Sequence, residues 1–315
     1  MFKVSAPTTV GELRERNFPL TLVIGGGVWA LLALVQPSVA VWILAFAPTV
    51  VVPLGLNLIE RDGGIAWSPF WKLGRWLHLP TAALFVISFC LEQSWLAATL
   101  AMPWLVVTLL FALAGVAMLG RNGRQVDRVT ALGGALLLLP VGAGWAALSR
   151  AGLQPQGFSH EIVLLTGVHF HYAGFALPIL TASAVRQFPI AWERALIVAV
   201  VLGVPLVGVG ISLSQHVEVV AAVLLAVACL AVATLQLRAA LKSRNANHAM
   251  LLLISVSSLA AAMLLAAVYA LGEFTANDWL SISTMVQTHG VLNAFGFVLC
   301  GLIARSLEAA DRGAL

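Results

Sequence analysis

Three histidines in the second half of the chain have types and positions that suggest chemistry. His169 and His171 stand in EIVLLTGVHFHYAGFALPIL, and His289 stands in SISTMVQTHGVLNAFGFVLC. Imidazole takes up and releases a proton near neutral pH and is the commonest protein ligand for metals. Tyr172, Gln287, Thr288 and Asn293 accompany these histidines in sequence, and Glu161 opens the same stretch as His169. Such a set can bind a substrate, relay protons or hold a metal through His169, His171 and His289. Ionisable groups in apolar surroundings are costly and mark a functional site by default. The alternative is neutral histidine bonded to a backbone carbonyl or a neighbouring hydroxyl, with a purely structural role.

Helix geometry restricts what the pair can do. Positions i and i+2 are about 200° apart at roughly 3.6 residues per turn. On a regular helix His169 and His171 therefore cannot both face one centre. His169 shares a face with Thr166, Tyr172 and Ala173, and His171 shares one with Gly167, Gly174 and Phe175. Pro178 removes the backbone bond to Gly174 and permits a distortion, although it lies beyond the histidines. His289 shares a face with Leu292, Asn293 and Gly296, so His289 and Asn293 can line one wall.

The elements that carry these residues follow from composition. The chain has 315 residues, 61% of them hydrophobic and 10% charged. Soluble domains carry roughly 25% charged residues, so a chain this apolar requires lipid as its solvent. Crossing a core of about 30 Å takes roughly 20 apolar residues per helix. Apolar runs bounded by charge, Pro and Gly predict spans at 20–36, 40–59, 76–92, 95–119, 130–149, 161–185, 196–213, 218–238, 249–271 and 281–304. The expected class is all-α, a polytopic membrane bundle of about ten helices that satisfy their own backbones. Residues 1–19 form an N-terminal segment, 20–304 a single transmembrane domain and 305–315 a C-terminal tail. The first 18 residues lack the apolar block and cleavage site of a signal peptide, so the first helix reads as a retained span. VGELRERNF within them reads as a short surface helix.

Charge orients the spans. Of 17 Lys and Arg residues, only Arg150 falls on the opposite side of the predicted bundle from the rest. Cytoplasmic loops accumulate Lys and Arg, so both termini are expected in the cytoplasm and the protein in the cytoplasmic (inner) membrane of a bacterium. The basic residues are topology signals, and no nucleic-acid partner is implied. Glu92, Glu161, Glu218, Glu273, Asp278, His160 and His216 gather at the outer rim. His169, His171 and His289 all lie roughly 12–15 Å below it, at one level, given about 1.5 Å of rise per residue. His78 and His248 are expected near the inner interface.

Other features point to packing. Cys90, Cys229 and Cys300 stand singly in apolar runs, without metal-ligand spacing. Gly25, Gly26 and Gly27 form no phosphate loop, and no GxSxG, HExxH, Walker or CxxCH sequence occurs. Pro48 and Pro53 in APTVVVPLGLNLIE kink or break the second span, and a broken helix can offer carbonyls to an ion or substrate. Asn57 and Glu60 close it on the inner side. Gly290 and Gly296 suit close helix contact.

VHFHYAGFALPIL and THGVLNAFGF resemble the YndJ-like family of bacterial membrane proteins, and APTVVVPLGL is similar too. The resemblance implies a spanning domain and a family pattern containing His169, His171, Tyr172, Gly174, His289 and Asn293. Members carry the description of transporters of unknown substrate, and no catalytic role follows. Three functions stay open. A transporter would move a small molecule, an ion or a lipid-like substrate, and the opposed orientation of the first and last five helices matches an inverted-repeat plan. An intramembrane enzyme with zinc, copper, iron or haem would act on a lipid, quinone or other apolar substrate. An interaction or assembly protein would use its histidines structurally.

Overall fold

Lipid offers a peptide group no hydrogen-bond partner, so each segment of a chain this apolar closes its own ladder. The computed structural model describes residues 10–277 and 279–313, and every regular element in them is helical. Lys3 of the N-terminal segment and Asp278 of the acidic rim lie outside the described residues.

Ten helical rods follow one another: α1 Val10–Val35, α2 Val39–Gly63, α3 Pro69–Ser88, α4 Trp95–Asn122, α5 Arg128–Arg150, α6 His160–Gln187, α7 Glu193–Leu213, α8 Gln215–Lys242, α9 Ala246–Phe274 and α10 Ile282–Glu308, which runs on to Gly313. Each coincides with one predicted span. Among the described residues eight rods, α2 and α4–α10, are long and apolar enough to cross a membrane. In α1 the described apolar part runs Leu22–Val35, and VGELRERNF is the continuous first part of the helix, not a separate one. In α3 the first half carries Lys72, Arg75 and His78. Helix starts are set by polar caps. Ser38, Ser68, Ser94, Asp127, Ser159, Asn245 and Ser281 each accept a hydrogen bond from the first turn, which satisfies N–H groups that have no partner within the helix.

α2 is the centre of the bundle, with almost its whole length buried. It packs against α1, α3, α6 and α10, while α4–α5, α7–α8 and α8–α9 pair as neighbouring hairpins. Three rods widen into π-helical turns: α2 at Ala47–Val51, α6 at Phe170–Ala176, and α10 at Val286–Gly290 and Leu292–Leu299. The turn in α6 packs against those in both α2 and α10. Proline accounts for the first two. Pro53 and Pro178 lack the N–H that an α-helix needs, and their rings press on the carbonyl four residues earlier. The ladder shifts register: Val52 N–H reaches the Ala47 carbonyl and Leu177 N–H reaches the Tyr172 carbonyl, five residues back. α10 has no proline. There the Asn293 side-chain amide donates to the His289 carbonyl at 3.0 Å, competing for a group the helix would use itself.

The basic ends gather on one side. Asp62, nearly buried, accepts from Arg61 Nε at 2.7 Å and from Arg186 Nη1 at 3.0 Å. Arg61 also donates to the Arg305 carbonyl at 3.1 Å, and buried Arg305 donates to Gln187. This network ties α2, α6 and α10 together. Arg75 donates to Asn57 at 2.7 Å, and the Trp71 indole donates to Glu60 at 3.1 Å. At the other end Arg150, the exception to the charge pattern, is buried and donates to the Leu91 carbonyl at 2.6 Å. Its charge is used to hold the α3–α4 connection, which explains its departure from the rule.

Candidate functional site

The π turn of α6 sends its two histidines to opposite sides, as the spacing argument requires. His171 turns to α4. Its Nδ1 donates to the Gly167 carbonyl at 2.7 Å, and its Nε2 accepts from the Trp104 indole at 3.1 Å. Both nitrogens are engaged, which fixes a neutral tautomer, and the ring is fully buried and stacked on Trp104. α5 comes close enough that a Cβ at Gly142 would lie 2.7 Å from His171 Nδ1.

His169 turns to α10. Its ring centroid lies 6.5 Å from that of His289, so α6 and α10 are in contact where the shared level predicted. His169 Nδ1 donates to the Leu165 carbonyl at 3.0 Å, leaving Nε2 as a lone-pair acceptor. His289 Nδ1 donates to the Ala262 carbonyl of α9 at 2.9 Å, and its Nε2 accepts from Asn293 at 3.1 Å. Asn293 uses its amide nitrogen twice, which leaves its Oδ1 as a second acceptor. His169 is exposed on the surface of α6. The groups at this α6–α10 contact that carry no hydrogen bond within the described residues are both acceptors, so the contact suits a proton or a hydrogen-bond donor.

The remaining candidates surround this pair without joining it. Tyr172 is buried and donates its hydroxyl to the Ile43 carbonyl of α2 at 2.8 Å. Gln287 is exposed and donates to Ser283, and Thr288 donates to the Thr284 carbonyl. Glu161 is exposed in the first turn of α6, two turns nearer the acidic end. Gly296 packs so tightly on Ser258 of α9 that a side chain has no room, and Gly290 faces Ile43. Both glycines serve packing.

The donor set does not suit a three-histidine metal centre. His171 points away with both nitrogens engaged, and the described residues contain no group of three or more His, Cys, Asp or Glu arranged to hold an ion. The cysteines are dispersed, with Cys229 buried and Cys90 exposed.

His78 is a buried residue that sequence reasoning misplaced. It lies in the core with its ring 5.6 Å from Trp104 and the Pro48 carbonyl beside it. The predicted span began at residue 76, which put His78 at an interface. The helix begins at Pro69 behind the cap Ser68, so His78 falls in its middle. The pair Ser68–Pro69, a cap followed by a proline at the first helical position, was the available signal.

A profile of YndJ-like proteins matches residues 42–297. A protein of Bacillus subtilis (strain 168) named uncharacterized membrane protein YndJ is 27% identical over 283 residues, covering 89% of this chain and 50% of the relative. The chain thus spans half the length of that relative. No solved structure matches. The profile reaches from α2 into the last π turn of α10 and contains His169, His171 and His289. It covers most of the chain, and the chain belongs to the YndJ-like family.

Proposed function

We propose that this YndJ-like membrane protein is a transporter whose substrate or proton passes through a crevice between α6 and α10. The observation that carries the reading is His169, an exposed histidine that faces His289 across the α6–α10 contact with an open Nε2. His289 and Asn293 form the facing wall, where the Ala262 carbonyl fixes the tautomer. Neutral imidazole and amide acceptors suit a protonated or hydrogen-bond-donating solute. In this reading Gln287 and Glu161 mark the approach from the acidic rim, and Tyr172 holds α6 on α2. His171 is structural. Both termini face the cytoplasm, where the gathered basic ends are expected by the positive-inside pattern.

The π turns support a moving element. Such turns are frequent at functional sites because they break the uniform ladder. Three helices meeting at their irregular turns can shift with less loss of regular hydrogen bonding than three straight ones.

The test is transport by reconstituted vesicles, followed with a pH-sensitive dye and a panel of protonatable solutes. Wild type should move protons or solute, His169→Ala should lose at least about tenfold in rate, and folding should be unchanged by gel filtration. Metal analysis and an optical spectrum of the same samples complete the experiment. Stoichiometric metal or a haem band that His169→Ala removes, with no transport by wild type, would replace the transporter by a metal enzyme.

A further inference from the structure

We propose that the basic end of the bundle carries a binding cleft for a phosphate group, presented by an anionic phospholipid headgroup or by a free phosphate. The cleft has a volume of about 760 Å³ and is lined by Arg186, Lys242, Ser243, Arg244, His248 and Glu308 among others. It lies where four membrane-length helices meet: α6 finishes at Gln187 and α8 at Lys242, α9 begins at Ala246, and α10 passes at Glu308 on its way to Gly313. Wherever these helices cross a bilayer, their shared end lies at headgroup level. The proposal therefore does not depend on which side faces the cytoplasm, nor on the transporter reading.

The chemistry is that of an oxyanion site. Three cationic side chains, Arg186, Lys242 and Arg244, line the cleft against one carboxylate, Glu308. Asp62 engages Arg186, and Glu308 is engaged by Arg305 at 3.3 Å, so the carboxylates near the cleft are already committed to partners. Lys242 is held with its ammonium 5.1 Å from the Phe188 ring, which keeps the charge at the rim. Ser243 and His248 meet at 2.9 Å and the Ser243 hydroxyl donates to the Asn245 carbonyl at 3.1 Å, so this bonded group shapes the cleft beside the cations. Guanidinium forks and an ammonium are donors that hold phosphate oxygens. Basic pockets between helix ends are where anionic headgroups bind.

The test uses the full chain in detergent and native mass spectrometry. Dioleoylphosphatidylglycerol, dioleoylphosphatidylcholine and inorganic phosphate are the probes. The paired variant Lys242→Gln/Arg244→Gln removes two exposed cleft charges; Arg124→Gln/Arg128→Gln removes the same charge from the exposed α4–α5 connection and the first residue of α5. Wild type should retain phosphatidylglycerol over phosphatidylcholine. The cleft pair should weaken that binding about 30-fold, the effect of two basic side chains at a membrane surface. The loop pair should match wild type. Binding of inorganic phosphate that the cleft pair abolishes, without preference between the lipids, would support the site with free phosphate as its ligand. Equal loss in both pairs, or loss in neither, would overturn the proposal.

Discussion

His169 and His171 are one residue type, two positions apart, with opposite expected responses to mutation. His171→Ala leaves the Trp104 indole N–H without its partner in a fully buried site, removes one of the bonds to the Gly167 carbonyl and opens a cavity. The expected cost is about 2–4 kcal/mol, read as lost thermal stability of the purified protein. His169→Ala removes an exposed ring whose one hydrogen bond within the described residues is to its own helix, so stability should change by no more than about 0.5 kcal/mol while transport falls. If His169→Ala destabilises as much as His171→Ala, the functional distinction fails. The divergence of the two rings was legible in the sequence, because a two-residue step nearly reverses direction on a helix. The identity of each partner was not. Trp104 lies 67 residues from His171, and nothing in its local sequence distinguishes it from the other nine tryptophans.

Among the helices, legibility follows the presence of a local chemical signal. Pro178 gave a reason to expect distortion in α6, and a π turn ends just before it. α10 has two such turns and no proline, because its irregularity comes from a side-chain amide taking a backbone carbonyl, an event that composition does not announce. The start of α3 was misread by seven residues because hydropathy outweighed the Ser68–Pro69 cap. Helix packing adds a prediction at this scale. Gly296→Ala should cost about 1–3 kcal/mol, since its new methyl meets Ser258 of α9. Gly144→Ala, in a helix with open space at that position, should be neutral or gain up to about 1 kcal/mol. Chemical unfolding of both variants checks the pair, and equal effects would contradict the tight α9–α10 contact.

The whole molecule was the most legible level, because lipid imposes one rule on every segment. Apolar length and the distribution of Lys and Arg located ten rods and gathered the basic ends before any contact was known. Arg150 broke the pattern for a reason that needed the structure, its buried bond to the Leu91 carbonyl. In a background with Cys90, Cys229 and Cys300 replaced by Ala, an impermeant maleimide should label Thr275→Cys from outside the cell and Ser243→Cys only from inside; labelling of both from one side would refute the crossing of α9. The same background tests the central claim, that His169 borders a water-filled crevice and does not face lipid. A maleimide reacts with a thiolate, which forms in water and not in hydrocarbon. His169→Cys should react with a water-soluble maleimide, whereas Leu224→Cys, nine residues into α8 as His169 is into α6 and exposed on its helix, should stay unreactive. Equal protection of both positions would contradict the account.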